Sequence, residues 1–367
     1  LRYFFVEPFD VVMLRGNRLF GESGSFGDAV MPPWPTVFAG AFRSLLWSAL
    51  AKSDFDRIVG KEGSWGSFKL RWLSLAKDQR DGVVDIFVSI PKDTLVSSEG
   101  GGTVTLVPKQ IDTDIVRSSS VLPLQCLTVG SVSGKFSSSG FVSMSELLKW
   151  LKGHGISDVV EGSELYVLES RLGIGLDSGA MTARSGALYT TQTVRMSPDV
   201  GFVVGIEGDE GKIPKSGLLR LGGDGRGARF RDIDSPLREI GENFVPDGAR
   251  RFKVLALTPL MFKRGWLPDA VHDPDFRLRL GSDFSARLVS VALGRPETIT
   301  GWDMAKNRPK LAKKCVPPGS IYYFDECEGD VGAFFDWVDS GMKDSDDIGG
   351  TESTLIEGFN VAVTGVW

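Results

Sequence analysis

A chain of 367 residues is long enough for about two domains with separate cores. Its 42% apolar and 24% charged residues suit a soluble globular protein, and a formal net charge of −5 argues against an indiscriminate nucleic-acid coat. Three scattered cysteines (Cys126, Cys315 and Cys327), no leader-like segment and no apolar run of membrane-spanning length lead to the expectation of a cytoplasmic protein with no membrane association.

Taken in chain order, residues 1–6 (LRYFFV) predict a strand that Pro8 stops. A glycine-rich loop over residues 16–27 follows, with Arg15 and Arg18 at its start. Pro32, Pro33 and Pro35 close it, and Thr36 is placed to start a helix over residues 37–51. There Phe38, Ala41, Phe42, Leu45, Leu46 and Ala49 recur at three- and four-residue spacing. Strands are predicted at 68–75 and 83–90. A strand, a packed helix and two more strands are the first half of a βαββαβ, ferredoxin-like unit.

Residues 96–140, rich in Ser, Thr and Gly, predict a long mobile connection. Ser143 or Ser145 is placed to cap a helix over 146–152 that ends at Gly153 and Gly155. A strand at 164–169 runs into the glycine-punctuated stretch 171–177. Further strands are predicted at 202–207, 251–257, 286–293, 320–324 and 361–367, with one short helix at 333–338 inside an acidic tract, 325–347. The expected architecture is α+β in two domains, residues 1–160 and 161–367.

The chemistry lies in local charge. Residues 217–231 (GLLRLGGDGRGARFR) hold five glycines and four arginines against one acid, Asp224. Glycine lets backbone N–H groups approach a ligand, and arginine forks match phosphate oxygens. The run 222–225 resembles the Gly-Gly-Asp-Asp turn of palm-type polymerases and cyclases, but Gly225 replaces the second acid and arginines surround it. A two-metal site needs both carboxylates, so Gly222, Gly223, Arg226 and Arg229 read as a phosphate-contacting turn. A second basic stretch contains Lys306, Arg308, Lys310, Lys313 and Lys314, with Trp302 at its start as a stacking candidate.

The two histidines, His154 and His272, stand in loop-like sequence without a partner, and no Cys/His set has zinc spacing. Gly173 and Gly175 follow a strand but lack the third glycine and helix of a dinucleotide site. No catalytic residue, metal or cofactor is expected.

Several short strings, in order, carry a family likeness. They are Glu7-Pro8, 15–18 (RGNR), 35–43 (PTVFAGAFR), 171–177 (RLGIGLD), 186–189 (GALY), 221–225 (LGGDG), 263–268 (KRGWLP), 301–306 (GWDMAK), 316–320 (VPPGS) and 357–360 (EGFN). With them the chain resembles the RAMP-superfamily proteins of type III CRISPR effector complexes, most of all the subunit-three family of the type III-B Cmr complex.

That resemblance implies two ferredoxin-like RAMP domains with glycine-rich loops and β-hairpin insertions, and no catalysis. It implies a subunit that anchors the 5′ tag of the crRNA beside the large polymerase/cyclase-like subunit and a neighbouring backbone RAMP subunit. Gly358, Phe359 and Asn360 match the family's loop against RNA phosphates. Arg171, Gly173 and Gly175 fall in a thumb-like loop, where many relatives carry arginine at the place of Ser178 and Arg184 is the substitute. Gly40 and Arg43 serve either RNA contact or helix packing, and Arg171 either RNA or an ion pair with Asp177. The rival expectations are a repeat-cleaving endoribonuclease of the same fold, the equivalent type III-A subunit, and a pure scaffold.

Overall fold

The computed structural model describes residues 1–17, 26–61, 64–79, 84–98, 102–112, 122, 125–128, 134–177, 179–235, 248–272, 274–303, 307–343 and 352–367. The chain forms two compact units, each assembled from three stretches: residues 1–85, 162–234 and 298–313 in the first, and 86–161, 235–297 and 314–367 in the second. A single boundary near residue 160 does not describe this interleaving. The reason lies in strand pairing in the first unit.

There, five strands lie in the order Lys69–Asp78, Val200–Glu207, Arg2–Pro8, Gly227–Ile233 and Ser216–Arg220. Val200–Glu207 is antiparallel to both neighbours, with Phe4 opposite Val204 and Phe202 opposite Leu75. The opening strand and Lys69–Asp78 are therefore parallel, joined through a helix with a third strand slotted between them. In the expected ferredoxin-like unit the strand at 83–90 fills that slot; the structure places Val200–Glu207 there. That strand is apolar almost throughout and buried, as a central strand requires. Gly201 and Gly205 make room for it: a Cβ on Gly201 would meet the Val6 carbonyl oxygen at 2.4 Å.

The helix is Pro35–Ala49, two residues earlier than expected. Pro35 opens it because its fixed φ suits the first turn and its missing N–H has no intrahelical partner there anyway. Thr36 sits inside that turn and caps nothing. A second helix, Lys52–Ile58, follows without a sequence expectation. Phe38, Phe42 and Leu46 face the sheet, and the rings of Phe4, Phe38, Phe42, Phe202 and Phe230 pack with centroids 4.9–5.8 Å apart. Arg2 fastens the far end of the sheet, bonding Asp209 at 2.7 Å, the Ile213 carbonyl at 2.8 Å and Asp232 at 3.2 Å.

The second unit repeats the strand order. Phe284–Ala292, Ile321–Gly329, Phe252–Ala256 and Ala362–Val366 lie side by side, with Val271–His272 and Arg277–Leu280 extending one edge. All the pairings are antiparallel. Helix Val331–Asp339, capped by Asp330, connects the second of the four side-by-side strands to the last. Phe334 and Trp337 pack on Phe252, Phe284 and Phe324.

Residues 96–140, expected as a mobile connection, contain short strands. Thr94–Ser97 pairs with Thr103–Thr105 and Phe136–Ser137, and Val107–Gln110 pairs with Gln125–Thr128. Threonine and valine at alternate positions carry strand preference that the serine- and glycine-rich composition obscures. Helix Met144–Leu151 starts at Ser143, whose Oγ accepts the Glu146 N–H; of the two serines, Ser143 is the cap. Trp150 on this helix reaches Asp93, which also accepts from Tyr323 Oη at 2.8 Å and Thr94 Oγ1 at 3.0 Å. The Lys253 ammonium lies 3.6 Å above the Trp150 ring centroid. Asp93 and Lys253 are both buried. Burial lifts the Asp93 carboxyl above its ordinary range and lowers the Lys253 ammonium to about 8.

Candidate nucleic-acid interface

The opening strand ends at Pro8, and residues 9–17 continue as an extended strap that gathers elements of the first unit. Val12 pairs with Val194 of a long hairpin, Tyr166–Leu176 with Ala183–Met196. Met13 pairs with Gly223 of the arginine-rich turn, Arg15 with Ala29, and Asn17 bonds the backbone at Thr298 and Thr300. Three basic or glycine-rich stretches that lie far apart in sequence thus meet on nine consecutive residues.

The turn at 222–225 joins Ser216–Arg220 to Gly227–Ile233 and is exposed at Asp224 and Gly225. Its glycines have a reason within the fold. Gly222 has φ +74°, and a Cβ there would stand 2.5 Å from the Met13 carbonyl oxygen, which accepts the Gly223 N–H at 2.9 Å. These two glycines seat the turn on the strap. The cations around them remain at the surface: Arg220 makes no ion pair with any described residue, Arg226 is 3.8 Å from Asp10, and Arg229 is held by Glu7 at 2.7 Å.

The long hairpin carries the thumb-like residues. Arg171 pairs with Glu169 at 3.4 Å. Its expected partner Asp177 instead accepts the Gly179 and Ala180 N–H groups, which hold its carboxyl below the ordinary range and close the turn. Gly173 lies opposite Tyr189, and a Cβ on it would overlap that ring at 2.3 Å, so this glycine seats the tyrosine. A Cβ on Gly175 would meet that of Ala187 at 2.9 Å. Arg184 is exposed and makes no ion pair with any described residue. Leu172, Ile174, Leu176 and Leu188 are exposed on this ribbon.

The basic stretch after residue 300 forms an arm in which Trp302 pairs with Pro309 and Asp303 with Arg308. Trp302 is 51% exposed; Arg308 and Lys313 are exposed and make no ion pair with any described residue. Lys310 donates its backbone N–H to the Gly301 carbonyl at 2.8 Å. Arg18 and Lys306 lie outside the described residues.

Other predicted site residues make none of the contacts just described. Gly40 is exposed on the first helix, with nothing within 4 Å of where a Cβ would sit. Arg43 lies against two aromatic rings, 5.9 Å from the centroid of exposed Trp65 and 5.5 Å from that of buried Phe68, which favours packing for it. In the second unit, Gly358, Phe359 and Asn360 are buried, and the Asn360 amide is bonded to backbone groups of Met261 and Gly341. The Phe359 and Asn360 side chains pack within the second unit.

Sequence reasoning missed Asn17, an uncharged residue inside the quoted 15–18 string, because its role depends on contacts about 280 positions away. His154 and His272 are both exposed. Among the described residues, no group of three or more His, Cys, Asp or Glu is placed to hold a metal, and no helix is long and apolar enough to cross a membrane.

A family model described as CRISPR-associated protein (Cas_Cmr3) matches residues 4–367. The chain belongs to this family. No curated protein sequence matches it. Among solved structures, it is similar to a chain in the cryo-EM structure of the type III-B Cmr-beta complex bound to cognate target RNA. The identity is 18% and the TM-score 0.49, over 88% of this chain and 86% of that one. It is also similar to a chain of the Csm3-Csm4 subcomplex of the type III-A CRISPR-Cas interference complex, at 11% identity and TM-score 0.41, over 90% and 94%. A third is a chain of the Csm1-Csm4 cassette in complex with pppApA, at 8% identity and TM-score 0.31, over 89% and 88%.

Proposed function

We propose that this Cas_Cmr3 family protein is a non-catalytic RNA-binding subunit of a type III-B CRISPR effector complex. It anchors the 5′ tag of the crRNA and docks the large polymerase/cyclase-like subunit and a neighbouring backbone RAMP subunit. One observation carries the reading: a single strap places the arginine-rich turn, the long hairpin and the tryptophan-bearing arm together in one unit. In this group Arg184, Arg220, Arg308 and Lys313 lack an ion-pair partner among the described residues.

Cations without internal partners are available to phosphates, and Trp302 offers a ring face to an unpaired base. The order shared by both units, with a strand later in the chain slotted between the first two and a still later one beyond the first, supports ferredoxin-like RAMP modules. The first unit carries the helix of the first crossover and the second unit that of the second.

A filter-binding titration of the full chain with single-stranded repeat RNA tests the reading. Binding that weakens steeply with salt, with no shortened RNA products, supports it. Salt-independent association contradicts RNA anchoring, and accumulating cleavage products contradict the absence of catalysis.

A further inference from the structure

We propose that Asn17 is a positioning residue that sets the paired strands Trp302–Asp303 and Arg308–Pro309, the arm, in place for single-stranded RNA. The proposal rests on the RNA-binding reading above. The arm is a two-stranded ribbon, and such a ribbon is at best marginally ordered by its own pairing. Its orientation must come from where it is rooted. At the root, Asn17 Oδ1 accepts the Thr300 N–H at 3.2 Å and the Thr300 Oγ1–H at 2.7 Å, while Asn17 Nδ2 donates to the Thr298 carbonyl. Both ends of one side-chain amide thus hold a three-residue span leading straight into Gly301 and Trp302.

Asn17 is itself fixed. Gly16 N–H bonds the Asp28 carbonyl at 3.0 Å, and four residues earlier Met13 holds the arginine-rich turn. The asparagine therefore joins the arm to the same strap that fixes Arg220 and Arg226. Alanine would keep every positive charge yet remove the three bonds that Asn17 makes to the root of the arm. The arm's own chemistry favours RNA over an acidic protein surface: a half-exposed indole and the exposed Arg308 are carried on the same two-stranded ribbon, which suits a polymer that offers both bases and phosphates.

The test is a double-mutant cycle on the full chain, using single-stranded repeat RNA at fixed salt, with hydrogen exchange of the Thr300 amide as a second readout. Asn17→Ala should weaken binding about tenfold, and Thr300→Val, which removes only the hydroxyl donor, by a smaller factor in the same direction. In a Trp302→Ala/Arg308→Ala background, Asn17→Ala should cause no further loss; in an Arg220→Ala/Arg226→Ala background its full effect should remain. Additive losses in the first background overturn the proposal. So does wild-type affinity of Asn17→Ala, with or without faster exchange at Thr300. Absence of RNA binding by every form, wild type included, refutes the RNA-binding reading itself. In that case faster Thr300 exchange in Asn17→Ala shows the clamp acting within the fold alone.

Discussion

Asn360 holds both backbone polar groups of Met261. Its Oδ1 accepts the Met261 N–H at 2.9 Å, and its Nδ2 donates to the Met261 carbonyl at 3.2 Å and to the Gly341 carbonyl at 2.9 Å. The residue is 2% exposed and has φ +59°, a conformation asparagine tolerates better than most residues. Asn360→Ala leaves three buried backbone groups unpaired and should cost about 2–4 kcal/mol in denaturant unfolding. RNA affinity per folded molecule should stay at the wild-type level, since the side chain faces inward. A large affinity loss with unchanged stability would return this residue to the RNA surface.

The two glycine turns of the basic hairpin should separate in a substitution test. Gly222→Ala places a Cβ against the Met13 carbonyl at a positive φ, whereas Gly225→Ala has φ +58° and open space. Gly225→Ala should cost about 1 kcal/mol, and Gly222→Ala clearly more, with weaker RNA binding because the turn loses its seat. Equal costs in thermal unfolding would show that the contact with Met13 contributes nothing.

How much of this was legible in the sequence follows from what each element depends on. The opening strand, the first helix, and the strands near 202–207 and 320–324 were legible because a continuous apolar run or a 3.6 period is local information. The basic turn and the exposed tryptophan were legible because charge and glycine are visible in composition. Which strand fills the slot beside Arg2–Pro8 was not legible, since Val84–Ser89 and Val200–Glu207 are both strand-like and pairing partners are chosen by tertiary packing. Asn360 entered as an RNA contact only through the family string at 357–360; its burial and its bonds to Met261 depend on tertiary packing that the sequence does not display. The family strings located Arg171 and Asp177 correctly on one ribbon, but their partners are Glu169 and the turn amides.

Acid should loosen the second unit through Glu146. Lys149, the Ser157 hydroxyl and the Ser157 and Asp158 N–H groups outweigh burial and hold this carboxyl at about 2, against 4.5 for the ordinary group. A folded-state value below the unfolded one gives stability that is fully present above pH 4.5 and is lost as pH falls toward 2. The shift corresponds to about 3 kcal/mol. Glu146→Gln should flatten the stability profile between pH 4.5 and 2; an unchanged profile would assign the acid sensitivity to other groups.

Lys253 has the opposite behaviour on the alkaline side. Burial lowers its ammonium to about 8 from 10.5, with Asp93 opposing the shift. The unfolded chain then binds the proton more tightly, so stability should rise between pH 8 and 10.5, and Lys253→Met should abolish that rise. Asp93→Ala should destabilise by about 3–5 kcal/mol at neutral pH, because it strands the buried ammonium and the Trp150 and Tyr323 donors. A loss under 1 kcal/mol would mean that water replaces the carboxylate without cost.

The salt dependence of crRNA binding by the full chain is the most direct measurement of the central idea. With roughly five phosphates neutralised by Arg184, Arg220, Arg226, Arg308 and Lys313, log K against log salt should fall with a slope of about −3.5, moving toward zero as these cations are removed one by one. A slope near zero in the wild-type protein, or one that the substitutions leave untouched, would contradict an RNA-gripping role for this end of the first unit.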